Sequence, residues 1–265
     1  MMNTATITPA VALHMPFARV LRAYLTDAKF EALRMLRAPA FAIPFLLIPA
    51  PLYLLFGVVI AADGISKNPQ VGNYLFIGFS VMAVMGPALF GVGSTLAPER
   101  DQGLTRLKRA QPQPAGSYLI AKLLMAMFFA LVVTGMMIIA AVLAGKITLG
   151  AGDMAALAAI LTVGALPFCA IGLCIGAYFS GSAAPGITNL IYMPMIYLSG
   201  LFFPLPGFLQ KFVVIWPAFY LQQLVVAVTG NTQFQFFPLL SALTVLVSVT
   251  VLFGGLAIRR LARVG

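Results

Sequence analysis

The chain has 265 residues, 62% hydrophobic and only 8% charged, with a formal net charge of +10. A soluble domain carries about 25% charged residues, so a water-exposed globular fold is excluded. The basic side chains bracket long apolar runs instead of forming a patch, which is how cytoplasmic loops mark membrane topology, so no nucleic-acid partner is expected.

Residues 1–16 lack a basic region ahead of an apolar core, so a short disordered cytoplasmic tail is expected there and not a cleavable signal. From residue 17 to 37, Phe17, Val20, Leu21, Tyr24, Leu25, Ala28, Leu33 and Leu36 fall near one helical stripe. Arg19, Arg22, Asp27, Lys29, Glu31, Arg34 and Arg37 fill the remainder. The pattern predicts a basic amphipathic helix lying in the membrane interface.

No Asp, Glu, Lys, Arg or His occurs between Arg37 and Asp63, Lys122 and Lys146, Asp153 and Lys211, or Lys211 and Arg259. Each run can hold the roughly 20 apolar residues that a spanning helix needs. The first span is expected over 41–62, kinked by Pro44, Pro49 and Pro51, followed by a polar turn over 63–73. The second covers 74–97, a basic loop 98–117, the third span 118–145 and a turn 146–153. The next run is too long for one helix and breaks at Ser180–Gly186 into a fourth and a fifth span.

Residues 212–228 are apolar but short. Counting them as a span would carry Arg259, Arg260 and Arg263 to the outside. With six spans, the last over 236–258, only Lys67, Lys146 and Lys211 lie outside. The positive-inside rule therefore selects six, with both termini cytoplasmic. The expected fold is an all-α polytopic protein of the cytoplasmic (inner) membrane, with one transmembrane domain over 17–265. Residues 205–232 form an outer re-entrant helical hairpin between spans five and six, anchored at the interface by Trp216 and Tyr220.

Little in the chain can do chemistry. Cys169 and Cys174 lack a CxxC spacing, and His14, the single histidine, falls in the polar N-terminal stretch. No G-x-x-x-x-G-K-[ST] occurs; the only Gly-Lys pair, Gly145-Lys146, is followed by Ile147. The expected membrane interior has no Asp, Glu, Lys or Arg, which argues against a proton-coupled carrier and leaves an intramembrane protease without a base. In the 98–117 loop, Glu99 and Asp101 interrupt the basic run, and Leu104 and Leu107 give a short helix an apolar side suited to a partner's groove. Glu99 is expected to anchor the loop on backbone amides or a basic neighbour, and Gly103 to supply a backbone angle that a side chain disfavours. The bland alternative is a loop that only sets topology. Gly86, Gly91 and Gly93, with the Gly172/Gly176 GxxxG, permit close helix approach within the chain or between copies.

Taken together, the amphipathic N-terminal helix, the six spans, the loop PERDQGLTRLKRAQPQPAGSYLIAKLL and the segment LSGLFFPLPGFLQKFVVIWPAFYLQQL resemble the ABC-2 type transporter permeases, the membrane subunits of type V ABC exporters. The family's loop motif corresponds to Glu99, Arg100, Gly103, Leu107, Arg109, Pro112 or Pro114, Tyr118, Ala121 and Lys122. Its outer motif corresponds to Ser199, Gly200, Phe203 and Pro204, with Pro217 and Tyr220 beyond. The chain departs from the pattern at residues 112–114, PQP, where one proline is usual.

The resemblance implies an ATPase-coupling loop of Glu99, Arg100, Asp101, Gly103, Leu104, Arg106, Leu107, Lys108 and Arg109. It places the dimer interface and substrate path at spans two and five, with Phe76, Phe79, Met82, Met85, Asn189, Met193, Met195 and Tyr197 as candidate lining. Ser199, Gly200, Phe203, Pro204, Trp216, Pro217 and Tyr220 would form the outer gate. It also implies a separate cytoplasmic ABC ATPase that holds ATP and magnesium, none being bound by this chain, and a homodimer or a heterodimer with a second permease in membrane lipid. The uncharged lining suits an amphipathic or lipophilic export substrate. The rival reading is an ATPase-independent channel or a structural assembly factor.

Overall fold

The computed structural model describes residues 17–62, 68–105, 107, 117–145, 147–203 and 210–264. The expected tail at 1–16 lies outside them, as do Arg106, Lys108, Arg109, Pro112, Pro114 and Pro204. Among the described residues every regular element is helical. We number the helices α1 (Phe17–Leu36), α2 (Pro39–Ile60), α3 (Pro69–Asp101), α4 (Ser117–Ala144), α5 (Ala151–Tyr178), α6 (Ala184–Leu198), α7 (Gln210–Val213), α8 (Pro217–Val228) and α9 (Leu239–Val264). Five of them, α2, α3, α4, α5 and α9, are long and apolar enough to cross a membrane.

The prolines of α2 act as expected of residues that lack an N–H, but they widen the helix: Ile43–Leu47 and Tyr53–Ile60 are π-helical, and the Ile48 amide reaches back five residues to the Ile43 carbonyl. Helix α3 is longer than the expected span at both ends. Asn68 caps it, its Oδ1 accepting from the Gln70 amide at 3.0 Å, and Pro69 occupies the first turn, where a missing N–H costs nothing. At the other end Glu99, Arg100 and Asp101 remain helical because neighbouring elements engage their side chains. Helix α5 is broken at Gly164, against which the Leu221 side chain packs, and restarts with Pro167 in its first turn. The hairpin after it falls where the sequence places it: the Ala183 and Ala184 amides donate to the Ser180 carbonyl, and α6 begins with Pro185 in its first turn.

α3 is the hub. It is buried along nearly its whole length, with α2, α4, α5, α6 and α8 around it. The small residues do their work inside the chain: Gly93 packs against Gly172, Gly176 against Leu96, and Gly86 and Gly91 against Phe45 and Phe41. The GxxxG pair is thus occupied by α3. α9 packs on α5 and α8 and leaves most of its surface exposed.

The bundle has two distinct ends. At one, which we call the basic end, lie Arg34, Arg100 and Lys122, and Arg260 of α9 stacks 5.4 Å from the Tyr178 ring centroid. At the other, the polar end, amides close the loops: Asn73 exchanges hydrogen bonds with Thr148, Asn68 donates to Gln233, and Asn231 donates to the Gln70 carbonyl. The 15-residue α6 starts at the basic end, where Gly181 packs on Pro98, and finishes at the polar end, where the Gly200 carbonyl accepts from Tyr74. Helix α8 lies with the polar end, the Gln222 and Gln223 side chains bonding there to Leu201, Phe234 and Phe236.

Candidate functional site: the basic end of the bundle

Six side chains from three helices meet at the basic end. Lys122, in the second turn of α4, is completely enclosed. Its ammonium lies 2.5 Å from Glu31 Oε1, 2.9 Å from Thr95 Oγ1 and 3.1 Å from Glu99 Oε2. Three N–H donors thus face three oxygens, which is the capacity of an ammonium. Arg34 closes the ring, pairing with Glu31 at 2.9 Å and with Glu99, and the Tyr118 hydroxyl donates to Glu99. Two carboxylates and two cations balance, so the buried charge is compensated and hydrogen-bonded, the condition under which such a group is tolerated. Burial pulls the Arg34 guanidinium pKa down, but the Glu99 and Glu31 carboxylates outweigh that and raise it.

Lys122 falls at the start of the stretch expected as the third span, 118–145, and is enclosed by protein at the basic end. Lys122 marks the edge of an apolar run in the sequence, yet its side chain is wholly inside the packed bundle because acids from two other helices come to it. The expected anchoring of Glu99 by a basic neighbour is observed, and there are two such neighbours.

One residue further on, α3 takes hold of the opposite side. Arg100 donates to the carbonyls of Gly176, Ala177 and Phe179, the last at 2.8 Å, and pairs with Asp101 at 2.9 Å. The Gly181 amide donates to Asp101 at 2.7 Å. A cation is thereby placed on the orphan carbonyls that end α5, where the helix dipole also favours it. Helix α3 then ends at Gly103, whose φ of +75° is the left-handed angle expected of that glycine. Beyond it Leu104 and Leu107 stand exposed, Leu107 at 63%, and Thr105 is buried.

The other candidates separate into two groups. Phe76, Phe79, Met82 and Met85 are buried in the core, where Phe76 and Phe79 face Tyr53 and Phe79 stacks on Phe202. Asn189, Met193 and Tyr197 recur at helical spacing on an exposed face of α6, whereas Met195 is buried. Of the gate residues, Ser199 and Gly200 are buried and Phe203 is 72% exposed. Tyr220 is buried, donates to the Val214 carbonyl at 2.8 Å and stacks with Phe237; Trp216 is half-buried. Gly200, with φ +69°, ends α6 and presents its carbonyl to Tyr74, while the Leu201 carbonyl accepts from Gln222 at 2.9 Å and lies against Gly78. A Cβ on Gly78 would stand 1.9 Å from that oxygen.

The sequence pattern placed Glu31 and Arg34 only on the polar side of the amphipathic helix, gave Thr95 no role, and treated Tyr118 and Lys122 as motif positions at the start of a span. The available signal was a carboxylate and an arginine three apart on α1, together with a lysine one turn into an apolar helix. Tyr74, Gly78 and Gln222 left no comparable trace.

A family model described as "ABC-2 type transporter" matches residues 22–231. The chain is also similar to the Bacillus subtilis (strain 168) protein named "Putative transport permease YvfS", with 28% identity over 185 residues, covering 68% of this chain and 75% of the relative. The matched region runs from α1 through α8 and includes both the charged cluster and the Arg100–Asp101 clamp. The chain belongs to the ABC-2 type transporter family and is a membrane subunit of a transporter.

Proposed function

We propose that this chain is the permease half of an ATP-driven exporter in the cytoplasmic membrane, working as a dimer with two separate ATPase subunits on its basic end. The carrying observation is the double attachment of α3 at Glu99 and Arg100, which ties the turn bearing the exposed Leu104 and Leu107 to α1 and α4 on one side and to the α5–α6 hairpin on the other. A force applied at that turn reaches four helices. The basic end faces the cytoplasm on this reading, with six crossings, α6 the fifth, and both termini inside; the gathering of Arg34, Arg100, Lys122 and Arg260 at one end supports it. The segment 205–232 is then an outer hairpin. The exposed Asn189, Met193 and Tyr197 of α6 form the lining available for an amphipathic or lipophilic substrate once a second copy faces it.

The test is co-purification of the tagged chain with a Walker-type ATPase, compared with the Leu107→Asp variant. Leu107 is exposed, so the variant should fold and lose the ATPase. Equal recovery of the ATPase with both chains, or of none with either, would remove the docking role of this turn.

A further inference from the structure

The outward side of α1 is not the plain polar face that a helix packed on a core presents. Ala28, Glu31, Ala32 and Met35 turn inward, whereas Leu21, Leu25, Lys29 and Arg22 are exposed together. Leu21, Arg22, Leu25, Thr26 and Lys29 line a shallow groove of about 350 Å³ on that side. At 3.6 residues per turn, the two carboxylates of the helix, Asp27 and Glu31, fall about 140–180° around the axis from Arg22 and Lys29. Glu31 is moreover neutralised by Arg34 and Lys122. The groove therefore pairs apolar walls with two cations that no acid of its own helix faces.

We propose that this groove binds the headgroup and upper acyl chain of an anionic phospholipid. The leucines contribute apolar contact, and Lys29 and Arg22 reach along it to the phosphate, as amphipathic cations do at an interface. Each basic residue near an anionic membrane surface favours binding by about 1 kcal/mol, so removing two should weaken anionic-lipid occupancy by about tenfold to thirtyfold. The inference does not depend on the ATPase reading, because it concerns α1 and lipid alone.

The experiment uses the full chain in nanodiscs of phosphatidylcholine containing 0–30% phosphatidylglycerol, with a spin label on Thr26→Cys in a Cys169→Ala, Cys174→Ala background. The label should become immobilised as phosphatidylglycerol rises. The midpoint should move about tenfold or more upward in Arg22→Gln/Lys29→Gln and stay put in Arg259→Gln/Arg260→Gln, which removes the same charge from another helix. Equal shifts in both double variants would reduce the effect to general surface potential and overturn the site. So would immobilisation in pure phosphatidylcholine, or a label that responds only to an added ATPase. Both substituted pairs are exposed, so near-native melting of each variant is expected and should be confirmed beside the titration.

Discussion

Replacing Lys122 by Met tests whether the charged cluster is an enclosed, charge-balanced unit. Methionine approximates the length of the lysine stem, so packing changes little while the ammonium is lost. Glu31 and Glu99 would then share only Arg34, whose side chain is 47% exposed, and Thr95 would lose its donor. Breaking a buried pair by removing one partner costs about 3–5 kcal/mol. The Tyr118 hydroxyl still reaches Glu99 and Arg34 can lean toward either acid, so the lower half of that range is expected. Glu31→Gln/Lys122→Met removes one charge of each sign and leaves Glu99 with Arg34. It should be less destabilised than Lys122→Met alone, a coupling of about 0.5–3 kcal/mol in a double-mutant cycle. Melting and mild-denaturant titration of the purified chain in one detergent provide the measurement. A Lys122→Met chain as stable as the native one, with no coupling to Glu31, would mean the ammonium is solvated and would refute the argument. Lys122→Arg should not rescue fully, because a planar fork does not match three convergent oxygens around a fully enclosed point charge.

Four further outcomes follow from the packing and the two ends. Gly172→Val should destabilise by about 1–3 kcal/mol, since its Cβ would meet the Leu89 carbonyl at 2.8 Å, while Gly135→Ala, with open space around it, should melt at or above the native temperature. Gly78→Ala should displace the 199–203 turn from α3, read as faster thiol labelling of Ser199→Cys in the variant than in the parent; unchanged labelling would count against the close contact of Gly78 with the Leu201 carbonyl. Arg100→Gln should leave the chain folded but reduce substrate-stimulated ATPase activity of the complex, because it frees the α5–α6 hairpin from α3. Cysteines at Leu107 and Ala262 should label from the cytoplasm and one at Gly152 from outside; Ala262 labelling from outside would require another crossing.

Five of the six expected spans were legible in the sequence because bilayer thickness turns apolar length into a direct signal, and charge bracketing separates the runs. The α5–α6 hairpin was legible too, since Pro185 and the small residues before it permit little else. Two kinds of feature were not. Helix lengths at the ends escaped because they depend on partners: Arg100 stays helical on account of carbonyls 76 to 79 residues away in the chain. The charged cluster escaped because burial of Lys122 is a property of three helices meeting, and one of them, α1, reads alone as an amphipathic interfacial helix. That helix buries Glu31, Ala32 and Met35 against its neighbours and leaves Leu21 and Leu25 exposed.

The same helix, α3, is fixed at both ends by different chemistry, and this shapes how a docking event at one face of the bundle can act at the other. Its 33 residues extend about 50 Å, more than the hydrocarbon thickness of a bilayer. At the basic end the attachments are ionic and adjacent: Glu99 points to α1 and α4, Arg100 to the α5–α6 hairpin. At the polar end they are a tyrosine hydroxyl on the Gly200 carbonyl and a glycine that admits the Leu201 carbonyl into the helix surface. The ends of α6 therefore both contact α3, through Gly181 on Pro98 and through Gly200 on Tyr74. On the proposed reading, a displacement of the Leu104–Leu107 turn changes the separation of α3 and α6 first at the hairpin. The exposed Asn189–Tyr197 face must then move with α6, while Tyr74 and Gly78 hold its far end until their contacts part. Such an arrangement gives inner and outer access separate fastenings on one helix pair, and the outer one consists of a few neutral hydrogen bonds, each about 1 kcal/mol net, weak enough to be released by a transport cycle.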